Sequence, residues 1–327
     1  MKRGIRMLPL LLLCGLLLTT QAWAQELWLG GQPIGISIET QGVIVDGFTE
    51  VDTAQGKSIP AQAAGICIGD RIVSMDGQPI ETTTDFVERL AAAKGAETEL
   101  LIERGGEELR FRVSAAESRS GQWMLGVWLR DGVCGIGTLT FIEPKSGIYG
   151  ALGHCVSEEN THRSVAVRSG SITSAQIVSV RPGQAGCPGE LQGCADAGCV
   201  LGSIERNCES GIYGIFSTEA GGMLVETGSF ELGAAQVFAT VEGTQPQLYD
   251  AEICRIVTEG EHTNVQLRVT DARLLRATGG IVQGMSGSPI LQNGKLVGAV
   301  THVFVSDSAR GYGIAIGDML RAAGIES

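Results

Sequence analysis

Aromatic residues make up only 5% of this 327-residue chain, prolines number nine and histidines four. So thin an aromatic supply beside 47 glycines argues against a helical bundle and for many short strands joined by tight turns. Positive charge is also scarce. The formal net charge is −12, which removes the basic footprint that nucleic-acid binding requires. The apolar run from Met7 to Leu18 is short for a full membrane span. What is present, 43% hydrophobic and 18% charged residues, is a globular composition, and the length suits two domains.

The chain opens "MKRGIRMLPLLLLCGLLLTTQAWAQE". Lys2, Arg3 and Arg6 form a positive region, the apolar run follows, and "AWA" ending at Ala24 is a small-x-small cleavage site. Residues 1–24 are therefore expected to be an export signal, cut or kept as a membrane anchor. "LLLC" at Cys14 is a poor lipoprotein signal, because Leu13 is bulky where a small residue belongs. Eight cysteines remain beyond it, four of them in "CPGELQGCADAGCVLGSIERNC" with gaps of six, four and eight residues. Those gaps do not match paired C-x-x-C zinc ligands, so no metal is expected. An even number of cysteines in an exported chain permits disulfides, and local pairs among Cys187, Cys194, Cys199 and Cys208 are the expectation over free thiols.

Residues 34–115 read as a compact αβ module. "IGISIE" and "GVIVDGF" alternate as strands, and "IPAQAAGICIGDRIVSMDGQPI" joins a short helix to a strand through Gly69-Asp70. "TTTDFVERLAAA" has the spacing of an amphipathic helix with Thr83 or Thr84 as its N-cap, and "ETELLIERGGEELRFRVSA" turns as a hairpin at Gly105-Gly106. "AGICIGDRIVSMDGQPI" resembles the PDZ family. In that family a peptide adds as a strand to a sheet edge and its C-terminal carboxylate meets loop amides. The resemblance places that loop at Ile34, Gly35 and Ile36, within "PIGI". "ESRSGQ", residues 117–122, is the polar separator.

From residue 122 to 327 the chain is serial short strands with glycine punctuation. Helical spacing appears only in "GDMLRAAG", near the end. Strands without crossover helices indicate an all-β sandwich or barrel.

A serine becomes a nucleophile only with a base and an orienting acid. Of the histidines, His154 in "YGALGHCV" and His302 after "LVGAVTH" lie at strand ends that hold side chains in place. His162 and His262 lie in polar stretches. In "GIVQGMSGSPI" the amides of Gly284 and Ser286 are placed to converge on a carbonyl oxygen, Gly287 continues the turn and Pro289 stiffens the exit. This loop resembles the G-x-S-G-x-P loop of chymotrypsin-like proteases. It differs from the α/β-hydrolase elbow because no helix pattern follows. The acid is then expected between 154 and 286, with Glu259, Glu261 and Asp271 as candidates. Asp271 has a competing use as the cap of a short helix.

Taken together, the export segment, the PDZ module, "GALGHCV" and "TGGIVQGMSGSPILQNGKLVGAVTHVF" resemble the SpoIVB peptidase family, PDZ-containing serine peptidases of spore-forming Firmicutes. The resemblance implies a mainly β architecture: an α+β PDZ domain followed by a chymotrypsin-like all-β protease domain. It implies His154 as base, Ser286 as nucleophile, Asp271 as acid, and an oxyanion hole from the amides of Gly284 and Ser286, with no cofactor. It also implies signalling across the forespore intermembrane space, protein substrates among membrane-bound sporulation regulators, a peptide ligand for the PDZ domain, and self-cleavage near the N-terminus. The cysteine-rich stretch departs from the pattern, and Cys155 beside His154 reads as a small buried residue. The competing reading is an inactive PDZ and protease-like scaffold; retention of all three catalytic residue types speaks against it.

Overall fold

The computed structural model describes residues 25–157, 164–217 and 221–325. Residues 1–24, expected as an export signal, and His162 lie outside the described residues. Among those described, no helix is long and apolar enough to cross a membrane.

The 16-residue strand Pro33–Phe48 organises the first half of the chain. "IGISIE" and "GVIVDGF", expected as two strands, are one, bent where Gly42 takes φ +83° against the Ile72 carbonyl. The two halves serve different bodies. Val43 and Val45 belong to a small core with Ile66, Ile72, Phe86, Leu90, Leu100, Ile102 and Leu125. Ile34, Ile36 and Ile38 point into another core with Leu139, Tyr149, Ile172 and Ile212. Alternation along a strand sends every second side chain to one face, so three isoleucines two apart mark a buried face.

The first body is the PDZ module. Its helix Thr83–Ala93 buries Phe86 and Leu90. The N-cap is Thr82, whose hydroxyl accepts from the Asp85 amide, one residue before the expected Thr83 or Thr84. The hairpin Glu97–Arg104 with Glu107–Ser114 turns at Gly105 and Gly106, at φ +59° and +85°, the positive pair a tight two-residue turn needs. Inside the module Asp70 is 1% exposed and receives two hydrogen bonds from Arg104 and one from the Cys67 amide, which explains the "GD" of the motif.

The second body is a pair of six-stranded barrels. In the first, Gly211–Ile215, Ile148–Ala151, Val127–Ile142, Pro33–Phe48, Ser169–Arg181 and Glu190–Ser203 pair in that order. A bridge between Gly202 and Phe216 closes the ring. The second barrel is closed by Gly233–Ala239, Gln247–Glu259, His262–Val269, Asp307–Ala315, Lys295–Phe304 and Pro289–Gln292. Helix Ile316–Ala322 seals its end through Ile316, Met319 and Leu320. An α+β module followed by two antiparallel barrels is the chymotrypsin-like arrangement expected, with one exchange: residues 33–40 belong to a barrel, and residues 123–130 complete the PDZ core through Trp123, Leu125, Val127 and Leu129.

That exchange corrects the PDZ loop assignment. Ile34, Gly35 and Ile36 are not an open loop. Ile34 is 0% exposed, and the segment pairs on one side with residues 135–137 and on the other with residues 172–174. Both backbone edges are therefore spent. The free edge beside the helix Thr83–Ala93 is instead at residues 127–130, which pair only with residues 44–48 among the described residues. Just before it, no acceptor among the described residues meets the amides of Leu125 and Gly126, while their carbonyls receive Ala61 and Thr49. Asp131 accepts from the amide and hydroxyl of Thr83 and ties the end of this edge to the start of the helix. A Cβ at Gly35 would meet Thr173 Oγ1 and Ala195 Cβ at 2.5 Å. Gly35→Val is expected to lower Tm, and a titrated C-terminal peptide should shift the amides of residues 125–130 rather than 34–36. A peptide response confined to residues 34–36 would restore the original assignment.

The expected disulfides are absent. All eight cysteines among the described residues are free thiols, and six of them are exposed. Cys194 and Cys199 lie on one strand, Glu190–Ser203, with Cys194 opposite Gln176. Residues 190–203 of the stretch expected to carry local disulfide pairs are a barrel strand.

Candidate active site

The strand Ile148–Ala151 runs between its neighbours and then breaks at Leu152 and Gly153, both left-handed at φ +69° and +70°. The break turns His154 out of the sheet into a cleft of about 690 Å³ between the barrels. Across that cleft lies the serine loop. Met285 is fully buried and plugs the second barrel, which leaves Ser286 half-buried and facing the cleft. Gly284 takes φ +93°, a conformation glycine adopts without strain. The amides of Gly284 and Ser286 meet no acceptor among the described residues, whereas those of Met285, Gly287 and Ser288 are bonded to Val282, Val300 and Met285. Two unspent neighbouring donors beside a serine hydroxyl are what an oxyanion hole needs.

The loop is held from the first barrel by residues that the sequence reading missed. Thr138 donates its amide to the Ser286 carbonyl (3.0 Å) and its hydroxyl to the Gly284 carbonyl (2.9 Å), and its own carbonyl receives the Leu152 amide (3.3 Å). One residue thus joins the serine loop to the turn before His154. Thr140 donates to the Gly287 carbonyl (2.7 Å), and Gln283 is bonded through its amide to Gly189 and through its carbonyl to Leu191. Asn207 exchanges hydrogen bonds with both the amide and the carbonyl of Val156, fixing the segment after His154. The only advance signal was "GTLTF", two threonines one residue apart in an apolar strand.

His154 Nδ1 lies 2.8 Å from the Cys155 carbonyl. A carbonyl only accepts, so Nδ1 carries the proton and Nε2 is left with the lone pair of a base. The rings of His154 and His302 are 4.4 Å apart. Burial, followed by the neighbouring His302, pushes the His154 pKa down to about 4. A depressed value keeps the imidazole neutral, and competent as a base, in solutions where an ordinary histidine is protonated. The kcat/KM of the protein is therefore expected to hold from neutrality down to about pH 5, with its acid limb below that. An acid limb centred near 6.5, the ordinary histidine value, would contradict this environment. Ser286 Oγ donates to the Thr301 carbonyl at 2.7 Å. In this resting arrangement the hydroxyl faces the strand Lys295–Phe304, and a rotation about its Cα–Cβ bond is needed before His154 can take its proton.

Asp271 is the expected site residue that the structure does not bring to the cleft. Its carboxylate caps the helix Ala272–Thr278 through the Arg273 amide, pairs with the Arg273 guanidinium at 2.7 Å and accepts the Asp250 amide. The Arg273 side chain, more than any other group, holds its pKa well below the usual carboxylate range. The helix-cap use, visible as an alternative in the sequence, is the one the fold adopts. Glu259 and Glu261 lie at the Gln247–Glu259 and His262–Val269 hairpin and do not line the cleft either.

The sequence model of the SpoIVB peptidase family (S55) matches residues 121–320. The chain belongs to this family. It is a serine peptidase, and a PDZ domain model matches residues 51–104. A putative zinc metalloprotease of Clostridium perfringens is 43% identical over 68 residues, 21% of this chain and 20% of that protein. The chain thus matches about a fifth of the length of this curated relative. Among solved structures, the active form of the Rv3671c protease from M. tuberculosis is 14% identical, covering 60% of this chain and 76% of that one at a TM-score of 0.33. The HtrA-type protease AlgW with a decapeptide is 12% identical, covering 64% and 57% at a TM-score of 0.34. Among the described residues no cluster of His, Cys, Asp and Glu is arranged to hold a metal ion.

Proposed function

We propose that this family member is a serine endopeptidase of sporulation signalling in which Ser286 is the nucleophile, His154 the base, and the amides of Gly284 and Ser286 the oxyanion hole. The observation that carries the reading is the meeting of His154, Ser286 and two unspent amides on one cleft between the barrels. Ser286 Oγ attacks the peptide carbonyl and its proton passes to His154 Nε2. The carbonyl oxygen becomes the oxyanion held by the two amides, and the proton then leaves with the departing amine. The cleft wall of Ile136, Ile281, Val282, Val303 and Val305 suits aliphatic side chains of the substrate.

The chain is exported through residues 1–24 into the space between forespore and mother cell. There it cleaves a membrane-bound regulatory complex to release sigma-factor processing, and it cleaves itself near the N-terminus. The PDZ module takes a peptide segment along residues 127–130, so that docking and cleavage lie on separate bodies. The support is family membership, the leader pattern of the sequence and the free edge beside the PDZ helix. Purified full chain and its Ser286→Ala variant, incubated side by side, test the reading. N-terminal fragments should accumulate only in the unaltered protein, and only it should restore sigma-factor processing in a spore-forming host lacking its own copy. Equal fragmentation of both proteins, or equal restoration, would refute it.

A further inference from the structure

Consecutive peptide units of the serine loop, 283–284, 284–285 and 285–286, are each held by hydrogen bonds, and among those bonds one comes from a side chain. We infer that the Thr138 hydroxyl is the positioning group of the oxyanion hole, setting the amides of Gly284 and Ser286 toward the cleft before a substrate arrives. The inference rests on the reading of those amides as the oxyanion hole and of Ser286 as the nucleophile.

A trans peptide is planar, so its N–H points opposite to its carbonyl and fixing one aims the other. The Gln283 carbonyl accepts the Leu191 amide at 2.8 Å, which turns the Gly284 N–H away from Leu191. The Met285 carbonyl accepts the Ser288 amide at 2.9 Å, which turns the Ser286 N–H away from Ser288. The unit between them links the two donors, and its torsions decide whether they converge. Its amide, from Met285, bonds to the Val282 carbonyl at 3.1 Å, and its carbonyl, from Gly284, accepts the Thr138 hydroxyl at 2.9 Å. Glycine restricts its own torsions least, so the unit that follows Gly284 is the one most in need of an outside restraint.

The strand Val127–Ile142 supplies that restraint. The Leu139 amide goes to the Gln32 carbonyl, and alternation along the ladder turns the amide and carbonyl of Thr138 to the other side. There they meet the Ser286 carbonyl and the Leu152 amide. Thr138 is 3% exposed, and its β-branch leaves χ1 few choices, so the hydroxyl is delivered in one direction. The serine hydroxyl is the part of the site that is not set, since it rests on the Thr301 carbonyl. A substrate therefore meets a formed hole, and the serine rotamer is what changes.

The test compares peptide cleavage by the full chain and by its Thr138→Val, Thr138→Ser, Thr240→Val and Ser286→Ala variants, together with inhibition by a peptide aldehyde. The aldehyde carbon bonds to Ser286 Oγ, the serine proton passes to His154, and the carbonyl oxygen becomes an oxyanion in the hole. Valine keeps the shape of threonine without the donor. Thr138→Val is expected to lower kcat about 30-fold with KM unchanged, short of the roughly 100-fold or more that outright loss of a donor costs. Aldehyde inhibition should weaken by the same factor, while binding of the matching peptide alcohol should not change. The acid limb should stay in place, because no charge near His154 is altered. Thr138→Ser, which keeps the hydroxyl, should recover most of the rate. Thr240, also 3% exposed, lies just past the strand Gly233–Ala239 and donates its hydroxyl to the Gly31 carbonyl at 3.0 Å. Thr240→Val loses the same kind of bond and should cleave, per folded molecule, at the wild-type rate. A wild-type kcat in Thr138→Val, or an equal fall in Thr240→Val, would overturn the inference. In the unaltered protein the Gly284 amide should give one NMR signal that moves when the aldehyde is added. Two exchanging Gly284 signals in the free protein would overturn the inference without any variant. Cleavage by Ser286→Ala at the wild-type rate would instead remove the nucleophile reading, and this inference with it.

Discussion

Ser286→Ala and His154→Ala should each reduce peptide cleavage by about a million-fold, and the double variant should be no slower than either single one. The reason is that neither side chain works alone. The hydroxyl is a poor nucleophile until Nε2 takes its proton, and the imidazole has no other proton to take. Residual cleavage should come from the amides of Gly284 and Ser286 and from substrate binding, both of which survive the substitutions. The folds should survive too. Ser286→Ala removes one hydrogen bond to the Thr301 carbonyl, a loss of about 1 kcal/mol. His154→Ala removes a half-buried ring whose hydrogen bond is to its own neighbour's backbone. Cleavage rates and urea midpoints on the three variants check both statements. Losses that add on a logarithmic scale would show that the two residues act in separate steps.

Gly287→Ala is expected to have the largest effect on the fold of the site. Gly287 has φ +93°, and a Cβ there would stand 2.1 Å from the Thr138 carbonyl oxygen, 2.5 Å from the Leu152 amide and 3.0 Å from the Leu152 Cα. All three are backbone atoms at the point where the serine loop, the Thr138 strand and the turn before His154 converge, so no rotamer change relieves the clash. The loop must move or the barrels must part. A loss above about 4 kcal/mol is expected, on the scale of the most damaging single substitutions. Fluorophosphonate labelling of the remaining soluble protein should be absent. Gly294→Ala is the matched control. Its φ is +77° and no atom lies within 4 Å of the added Cβ, so it should cost only about 1 kcal/mol of conformational strain and leave labelling intact. Similar Tm losses in the two variants would mean that the conformation, and not the convergence of backbones, makes Gly287 necessary.

The oxyanion-hole glycine bears on the same distinction. In a loop of this kind a glycine at 284 keeps a side chain from crowding an approaching substrate. The structure gives a different reason: φ +93°, and the side of Leu191 at 3.0 Å from a Cβ. The residue type was legible from the motif, but the cause was not, since Leu191 is 93 positions away and reaches the loop through the Gln283–Leu191 backbone bond.

Local chemistry determined much of this protein from the sequence alone. The glycine pair at 105 and 106, the helix 83–93 and the serine loop are read from neighbours within a few residues, because turn conformation, amphipathic spacing and loop geometry are short-range properties. Histidine at a strand end and serine in a glycine-rich loop were likewise visible as candidates before their meeting was known. The tertiary structure decided what depends on strand partnership. Residues 34–36 look like a loop next to a glycine, yet they are a barrel strand because residues 135–137 and 172–174 pair with both their edges. The cysteine-rich stretch looks suited to local disulfides, yet residues 190–203 within it are a barrel strand paired with residues 171–181, and its four cysteines are free thiols. Asp271 lies at a plausible distance before the serine in sequence, but a helix begins at the next residue and its free amides claim the carboxylate. Thr138 carries no catalytic motif, and it reaches the serine loop only because its strand in the first barrel is brought against that loop. Sequence distance governs turns and caps; pairing between distant strands governs which side chains share a cleft.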